Sequence, residues 1–339
     1  MARKPRLLFV TIQSQSFVVQ DLEALHQHYD VRTFRFGVRR GLRHLLRQAV
    51  FFVWLLRQIW RTRYVYIWFC DYHALLPAML GRLLAKKVLI VIGGFDAVKV
   101  PDLNYGAHVS PLRSAVIRMS CRLATMLLPV SQVSLNYLRA SVGPFVSKKS
   151  QVVYNGVDVD RFSEGATPKS NKVICIGIIA DERTYRVKGI DRFVEVAQAI
   201  PEARFVLVGL SGRAADLAAA PDLPNLEILA PVEHSALNAH LQTARVICQF
   251  SRMESFGLAL AEGMLARCVP VSIAELGTAE VMGDTGVLID QYSLENAVKA
   301  VRSALTSDPQ AGEAARRRVR TQFSLEQRSA RILSILRTL

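Results

Sequence analysis

"RVICQFSRMESFGLALAEGMLARCVPVSI" runs from Arg245 to Ile273. Its two ends are short apolar runs of strand length, and its middle, "FGLALAEGMLARC", repeats apolar residues at helical spacing. Strand, loop, helix and strand in so short a span form the building unit of a parallel sheet. In such a sheet both faces are covered, and the strands read as continuous apolar runs rather than alternating ones.

The same alternation extends along the chain. Before it lie "RLLFVTI", "YVYIWF", "KVLIVIGG", "TMLLPVS", "SQVVYN", "KVICIGII", "RFVLVGL" and "LEILAPV", most of them separated by stretches of helical periodicity such as "GIDRFVEVAQAI". The strands fall into two sets, parted by the polar, Gly-, Pro- and Ser-containing segment "NGVDVDRFSEGATPKSNK" from Asn155 to Lys172. A chain of 339 residues is long for one core, so an α/β protein of two Rossmann-like domains is expected. Ligand would lie near the carboxyl ends of the strands, between the domains.

The composition is globular, with 51% apolar residues. Cys70, Cys121, Cys175, Cys248 and Cys268 show no metal-binding spacing and sit in apolar surroundings, as reduced core residues of a cytoplasmic protein would. The opening "MARKPRLLFVTI" is basic and then briefly apolar, which fits a first buried strand better than a signal peptide.

Charge is uneven. Residues 1–167 hold 23 Lys and Arg against 9 Asp and Glu, a net of +14; residues 168–339 hold 20 against 19, a net of +1. The first half therefore expects an anionic partner, and no aromatic RNA-binding pattern accompanies the charge to suggest nucleic acid. Within that half, "GVRRGLRHLLRQAVFFVWLLRQIWRTR" (37–63) is too short in its apolar part to span a bilayer. On helical spacing, Leu42, Leu45, Leu46, Ala49, Val50, Val53, Trp54, Leu56 and Ile59 share an apolar sector bordered by Arg39, Arg40, Arg43, Arg47, Arg57 and Arg61. One reading is a helix packed on the sheet. The other adds a lipid-facing patch of arginine with Phe51, Phe52 and Trp54.

The chemistry concentrates around Glu254 and Glu262. Glu254 follows the strand "RVICQF"; Glu262 lies inside the next helix, whose first turn begins near Phe256, Gly257 and Leu258. The amides at such a helix start favour an anion such as phosphate. Carboxylates instead accept hydrogen bonds from hydroxyls. Two glutamates flanking an anion-binding turn suit a sugar nucleotide, with ribose on one side of the diphosphate and a hexose on the other. Taken alone, the commoner reading of both is a helix cap and a solvated surface charge.

Several motifs, in order, resemble glycosyltransferase family 4, retaining enzymes of the GT-B fold. They are "VVYNGVDVDRF" (Val152 to Phe162), "DERTYRVKGID" (Asp181 to Asp191), "RFVLVGLSG", "ESFGLALAEGMLARCVPV" with its E-x7-E spacing, and "GTAEVMGDTGVLI". The resemblance implies parallel sheets facing across a cleft, an acceptor-side domain over 1–165 and a donor-nucleotide domain over 166–322. It also implies a terminal helix, 323–339, that crosses back onto the first domain. Arg183 and Lys188 would neutralise the donor diphosphate, assisted by amides at Ser255, Phe256, Gly257 and Leu258. Glu262 would accept the ribose hydroxyls and Glu254 those of the transferred sugar. Backbone near Pro231 and Val232 would meet the base, with UDP the family default, and Gly94 would let backbone approach the donor.

No Asp-x-Asp stands where a divalent ion would be needed, so neither metal nor other cofactor is expected. Two departures stand out. The first loop, "TIQSQSF", lacks the glycine pair usual there, which bears on donor contacts from Gln13 to Ser16. Where many relatives carry a histidine, this chain has Gly93, Gly94, Phe95 and Asp96. Asp96 is therefore the candidate for contact with the reacting sugar or acceptor, ahead of His73 and His108.

The function expected is transfer of a hexose from a nucleoside diphosphate sugar to a hydroxyl of a lipid-linked or polyanionic glycan. The enzyme would work in the cytoplasm, peripheral on an anionic membrane at the inner face of the plasma membrane. The alternative is a catalytically silent GT-B scaffold that binds sugar nucleotide or membrane.

Overall fold

The computed structural model describes residues 4–12, 14–37, 42–162 and 168–339. The chain divides into two compact units, Met1–Asn155 with Glu326–Leu339, and Gly156–Leu325. The boundary expected at 165 falls ten residues earlier because the start of the linker belongs to the second unit. Val157 N donates to Phe323 O at 2.8 Å, and Arg316 Nη1 donates to Phe162 O at 3.2 Å.

The first unit holds five parallel strands, β1 (Arg6–Thr11), β2 (Asp30–Arg35), β3 (Tyr64–Trp68), β4 (Lys87–Ile92) and β5 (Met126–Pro129), in the order β2-β1-β3-β4-β5. The three inner strands are buried on both faces, which is why their sequences read as unbroken apolar runs. The edge strand β2, "DVRTFR", buries only Val31 and Phe34 among polar and charged residues, so it gives no continuous apolar run to read. "SQVVYN" is not a strand of the ladder. It runs beside β5, with Gln151 N donating to Leu127 O and Val153 N to Pro129 O, and makes only the isolated bridge Leu127 to Ser150.

The returning C-terminal helix, Leu325–Thr338, is tied down by a buried ion pair. Arg328 Nε and Nη2 donate to the Asp21 carboxylate at 2.6 and 2.8 Å. Tyr66 Oη and Trp68 Nε1 donate to the same carboxylate at 2.8 Å each. Arg328 Nη1 is satisfied by the carbonyls of Val153 and Tyr154. Every charged atom of the pair is thus hydrogen-bonded, the condition on which a buried pair is tolerated.

Helix Leu42–Ile59 follows β2. Its core face is Phe51, Leu55 and Ile59, spaced four apart and all fully buried, with Phe51 packed against Phe34 and Phe36. This corrects the reading of Phe51 as a lipid-facing residue. The opposite face is apolar too: Leu46, Val50, Val53 and Leu56 are exposed, as are Phe52 and, just past the helix end, Trp60. Trp54 lies half-buried against Phe34. Arg39 and Arg40, and the side chains of Leu42, Arg43 and Leu45, lie outside the described residues. No helix among the described residues is long and apolar enough to cross a membrane.

The second unit holds six parallel strands, β6 (Ser170–Ile179), β7 (Arg204–Leu210), β8 (Leu226–Leu229), β9 (Ala244–Gln249), β10 (Val269–Ile273) and β11 (Val287–Ile289). Their order is β11-β10-β9-β6-β7-β8. Chain order reverses between β6 and β9, which lie side by side through pairs such as Ile174 with Ile247. Such a reversal opens a crevice at the carboxyl ends of the two strands, where doubly wound sheets bind their ligands. The five cysteines are buried and free.

Candidate active site

Both segments that leave this switch point carry expected site residues. After β6 the Asp181 side chain caps a short helix, Glu182–Val187, by accepting from Thr184 N at 3.0 Å. Arg183 is exposed on its first turn, and Lys188 follows its end. Gly189 then adopts φ +65°, and a side chain there would collide with the carbonyl of Phe250 at the end of β9. Only glycine lets the two loops approach so closely.

Further bonds knit the loops together. Arg252 N donates to Val187 O at 2.8 Å, and the Arg252 guanidinium forks onto the Asp191 carboxylate at 2.8 and 2.7 Å. Arg192 Nη1 donates to Phe250 O at 3.1 Å.

The result places Lys188 Nζ 2.8 Å from Glu254 Oε2, across 66 positions of sequence. The Glu254 side chain is 13% exposed and that of Lys188 34% exposed, so the pair is partly open to solvent. Glu254 also accepts from Ser255 N at 3.2 Å and from Gln249 Nε2. Gln249 ends β9 and is buried, with its Oε1 lacking a hydrogen-bond partner. The sequence reading did not single out Gln249; the signal was a polar residue at the end of an otherwise apolar strand, "RVICQF".

The turn that follows is equally constrained. Ser255 and Phe256 are buried, and Phe256 packs edge-on against Phe323 at 5.6 Å. Gly257 adopts φ +91°, where a Cβ would strike the Thr278 side chain, and it caps the helix Leu258–Leu265. The helix start is thereby aimed without any side chain over it. Glu262 sits inside that helix with one part-open edge, and burial pushes its carboxyl up to about 7, against a smaller opposing pull from Arg161. Pro231 and Val232 are exposed on the loop after β8, also at a carboxyl end.

In the first unit Asp96 follows β4 and is 2% exposed. Its carboxylate accepts from the backbone amides of Gly94 and Cys70 at 2.8 Å and of Gly93 at 3.4 Å. Burial pushes it up to about 6 in spite of these donors. The carboxylate is thus turned into the glycine turn. His73 is buried with Nε2 3.1 Å from Trp68 O and is pushed down to about 4 by burial. His108 is likewise buried and lowered, with Nε2 3.1 Å from Asp96 O. Gln13 lies outside the described residues. Among the described residues no three His, Cys, Asp or Glu side chains gather as metal ligands.

Residues 157–321 match the family of glycosyl transferases group 1. The matched segment lies wholly within the second unit. Relatives extend the likeness beyond it. Over 324 residues, covering 86% of this chain and 70% of the relative, the sequence is 25% identical to a subunit of phosphatidylinositol N-acetylglucosaminyltransferase from Arabidopsis thaliana.

Among solved structures, sucrose-phosphate synthase from Thermosynechococcus elongatus superposes with a TM-score of 0.78 at 16% identity, covering 99% of both chains. Anabaena HepE in complex with UDP and glucose gives 0.75 at 15% identity, covering 99% of this chain and 100% of its own. The fold is that of the GT-B glycosyltransferases.

Proposed function

We propose that the protein is a retaining glycosyltransferase that moves a hexose from a nucleoside diphosphate sugar, with UDP as the favoured nucleotide, to a hydroxyl of a lipid-linked or polyanionic glycan. The observation that carries this reading is the Lys188–Glu254 pair, held at 2.8 Å over the switch point beside the glycine-capped helix start. In the structure the two groups satisfy each other. A sugar nucleotide offers each a better partner: the diphosphate takes Lys188, and the sugar hydroxyls take Glu254.

The bond from the anomeric carbon to the diphosphate breaks, and negative charge gathers on the leaving oxygen. Lys188, with Arg183 on the short helix before it and the amides near Gly257, stabilises that charge. A single such donor is worth about 10²–10³ in rate. The acceptor oxygen bonds to the anomeric carbon from the same face, and its proton passes to the departing phosphate. No protein base and no divalent ion is required in this scheme. Glu262 accepts the ribose hydroxyls, and backbone near Pro231 and Val232 meets the base. The Anabaena complex with UDP and glucose supports the choice of donor, and the phosphatidylinositol in the Arabidopsis relative's name supports a lipid-borne acceptor.

The membrane part of the proposal rests on helix Leu42–Ile59. Residues 31–70 contain nine arginines and no acidic residue, and the helix presents Leu46, Val50, Val53 and Leu56 to solvent. A helix apolar on both faces, one of them unpaired and edged with arginine, suits the headgroup region of an anionic bilayer. The enzyme would then act from the cytoplasm, peripheral on the inner face of the plasma membrane.

Thermal unfolding against UDP-, GDP- and ADP-sugars tests the donor. A ligand at about a hundredfold its Kd stabilises by about 2.7 kcal/mol. Stabilisation by one nucleotide sugar that is abolished in Lys188→Ala and Glu254→Ala supports the assignment. Folded variants with full transfer activity would end it. Val50→Asp with Val53→Asp should abolish co-sedimentation with phosphatidylglycerol vesicles; unchanged binding would remove this helix from the membrane reading.

A further inference from the structure

A groove of the first unit has a cationic rim. It has a volume of about 510 Å³ and runs between helix Pro111–Leu123 and the chain that follows β4. Its rim carries Lys99, Arg118 and Arg122, and Val109, Ala115 and Met119 supply apolar wall. None of the described residues lining it is acidic. Arg118 and Arg122 stand four apart on the helix, where like charges destabilise each other.

Both residues are exposed, and each guanidinium reaches one surface partner. Arg118 Nη2 donates to Ser141 O at 3.3 Å, and Arg122 lies over the Phe145 ring at 5.6 Å. Neither contact supplies a countercharge. Met119 is 45% exposed beside them.

The floor is neutral. His108 lies 3.1 Å through Nε2 from Asp96 O and 2.8 Å through Nδ1 from Ser114 Oγ, a pairing that the uncharged ring completes by donating from Nε2 and accepting at Nδ1. Burial lowers the His108 pKa and so favours the uncharged ring, and the residue places the groove one hydrogen bond from the turn that Asp96 holds at the carboxyl end of β4.

The geometry points to this groove as the anchoring site for a phosphate-bearing amphiphile: Lys99, Arg118 and Arg122 receive the phosphate, and Val109, Ala115 and Met119 receive the apolar segment next to it. The proposal rests on the glycosyltransferase reading and deepens it, by naming the chemical group that holds the acceptor to the first unit. Cations around an apolar trough bind an anion with a greasy neighbour better than either a neutral lipid or a bare ion. Two sources share this chemistry, a lipid headgroup in a bilayer and a soluble phosphorylated acceptor.

The test titrates the full chain with octyl phosphate below its micellar range, octyl glucoside, inorganic phosphate, and phosphatidylcholine vesicles with and without phosphatidylglycerol. Octyl phosphate is expected to bind and octyl glucoside not to. Arg118→Gln with Arg122→Gln, both exposed and so without effect on folding, should weaken octyl phosphate by roughly tenfold to a hundredfold. Met119→Ser should weaken octyl phosphate and leave inorganic phosphate unchanged.

Displacement of octyl phosphate by inorganic phosphate supports the groove and assigns it to a soluble phosphorylated ligand. Binding only to phosphatidylglycerol vesicles, lost in the double variant, supports it with a headgroup as the source. Equal affinity in the double variant, equal binding of octyl glucoside, or binding of none of these overturns it. Stabilisation by UDP, measured alongside, should be the same in wild type and double variant. Loss of UDP binding in both with octyl phosphate still bound would sink the donor reading and leave the groove standing.

Discussion

The two units place an acidic residue just past a parallel strand and use it in opposite ways. In the second unit Glu254 follows β9, faces the crevice and holds Lys188 at 2.8 Å. In the first unit Asp96 follows β4, is 2% exposed and accepts from the amides of Cys70, Gly93 and Gly94. Position at a strand's carboxyl end therefore does not make a carboxylate a ligand-binding group; the destination of its hydrogen bonds does. The charge differs as well. The first unit carries 25 Lys and Arg against 7 Asp and Glu, net +18, and the second 18 against 21, net −3. A basic unit and a near-neutral unit that holds a partly exposed cation are suited to different partners.

The largest effect is expected where the first unit spends an acid most heavily. Arg328→Ala leaves Asp21 charged and buried among Tyr66 and Trp68, and should cost about 3–5 kcal/mol in denaturant unfolding. Asp21→Asn with Arg328→Met removes both charges and should recover much of that loss. A double variant as unstable as the single one would show that packing of the terminal helix, not charge, dominates.

Lys188→Ala comes next and should act on rate instead. Transfer should fall about 10²–10³-fold, with the unfolding midpoint little changed, because the Lys188–Glu254 pair is partly open to solvent. Asp96→Asn should do the reverse. An amide can accept through one oxygen only, so the glycine turn loses acceptors, at a cost of about 1–3 kcal/mol in stability. Transfer per folded molecule should hold. Loss of turnover without loss of stability would return Asp96 to contact with the reacting sugar and erase the contrast between the units.

What the sequence revealed of this contrast follows from local pattern. The inner strands were legible because burial on both faces leaves unbroken apolar runs, and Glu254 was legible because the loop after "RVICQF" opens a helix. Its partnership with Lys188 was reachable only through a family resemblance, since 66 positions separate them. The inward turn of Asp96 was hidden, because nothing in "GGFDAV" says whether a carboxylate meets solvent or the amides two and three residues before it. Helix Leu42–Ile59 misled for a physical reason: with apolar residues on two faces, its sequence does not say which face packs, and Phe51 went to the core while Val50 and Val53 stayed out. The pairing of Asp21 with Arg328, 307 positions apart, left no local trace.

Glu262 offers the finest distinction, because one carboxyl should move stability and binding in opposite directions. Its ordinary value is 4.5, and burial pushes it up to about 7. A folded value above the unfolded one means that its contribution to stability is complete below pH 4.5 and is lost as pH rises through about 7. Glu262→Gln cannot ionise, so at about pH 8 it should be more stable than wild type, by at most about 3 kcal/mol. Donor binding should respond with the other sign. Ribose hydroxyls donate to the charged carboxylate, so nucleotide binding must first remove the proton and should tighten about tenfold between about pH 6 and pH 8. Calorimetric titration with UDP in buffers of different ionisation enthalpy measures the proton released. In Glu262→Gln the stability gain should remain while both the proton release and the tenfold pH dependence vanish. A variant that gains stability but binds UDP with the wild-type pH profile would make Glu262 a buried acid of the helix alone, as Asp96 is of its turn.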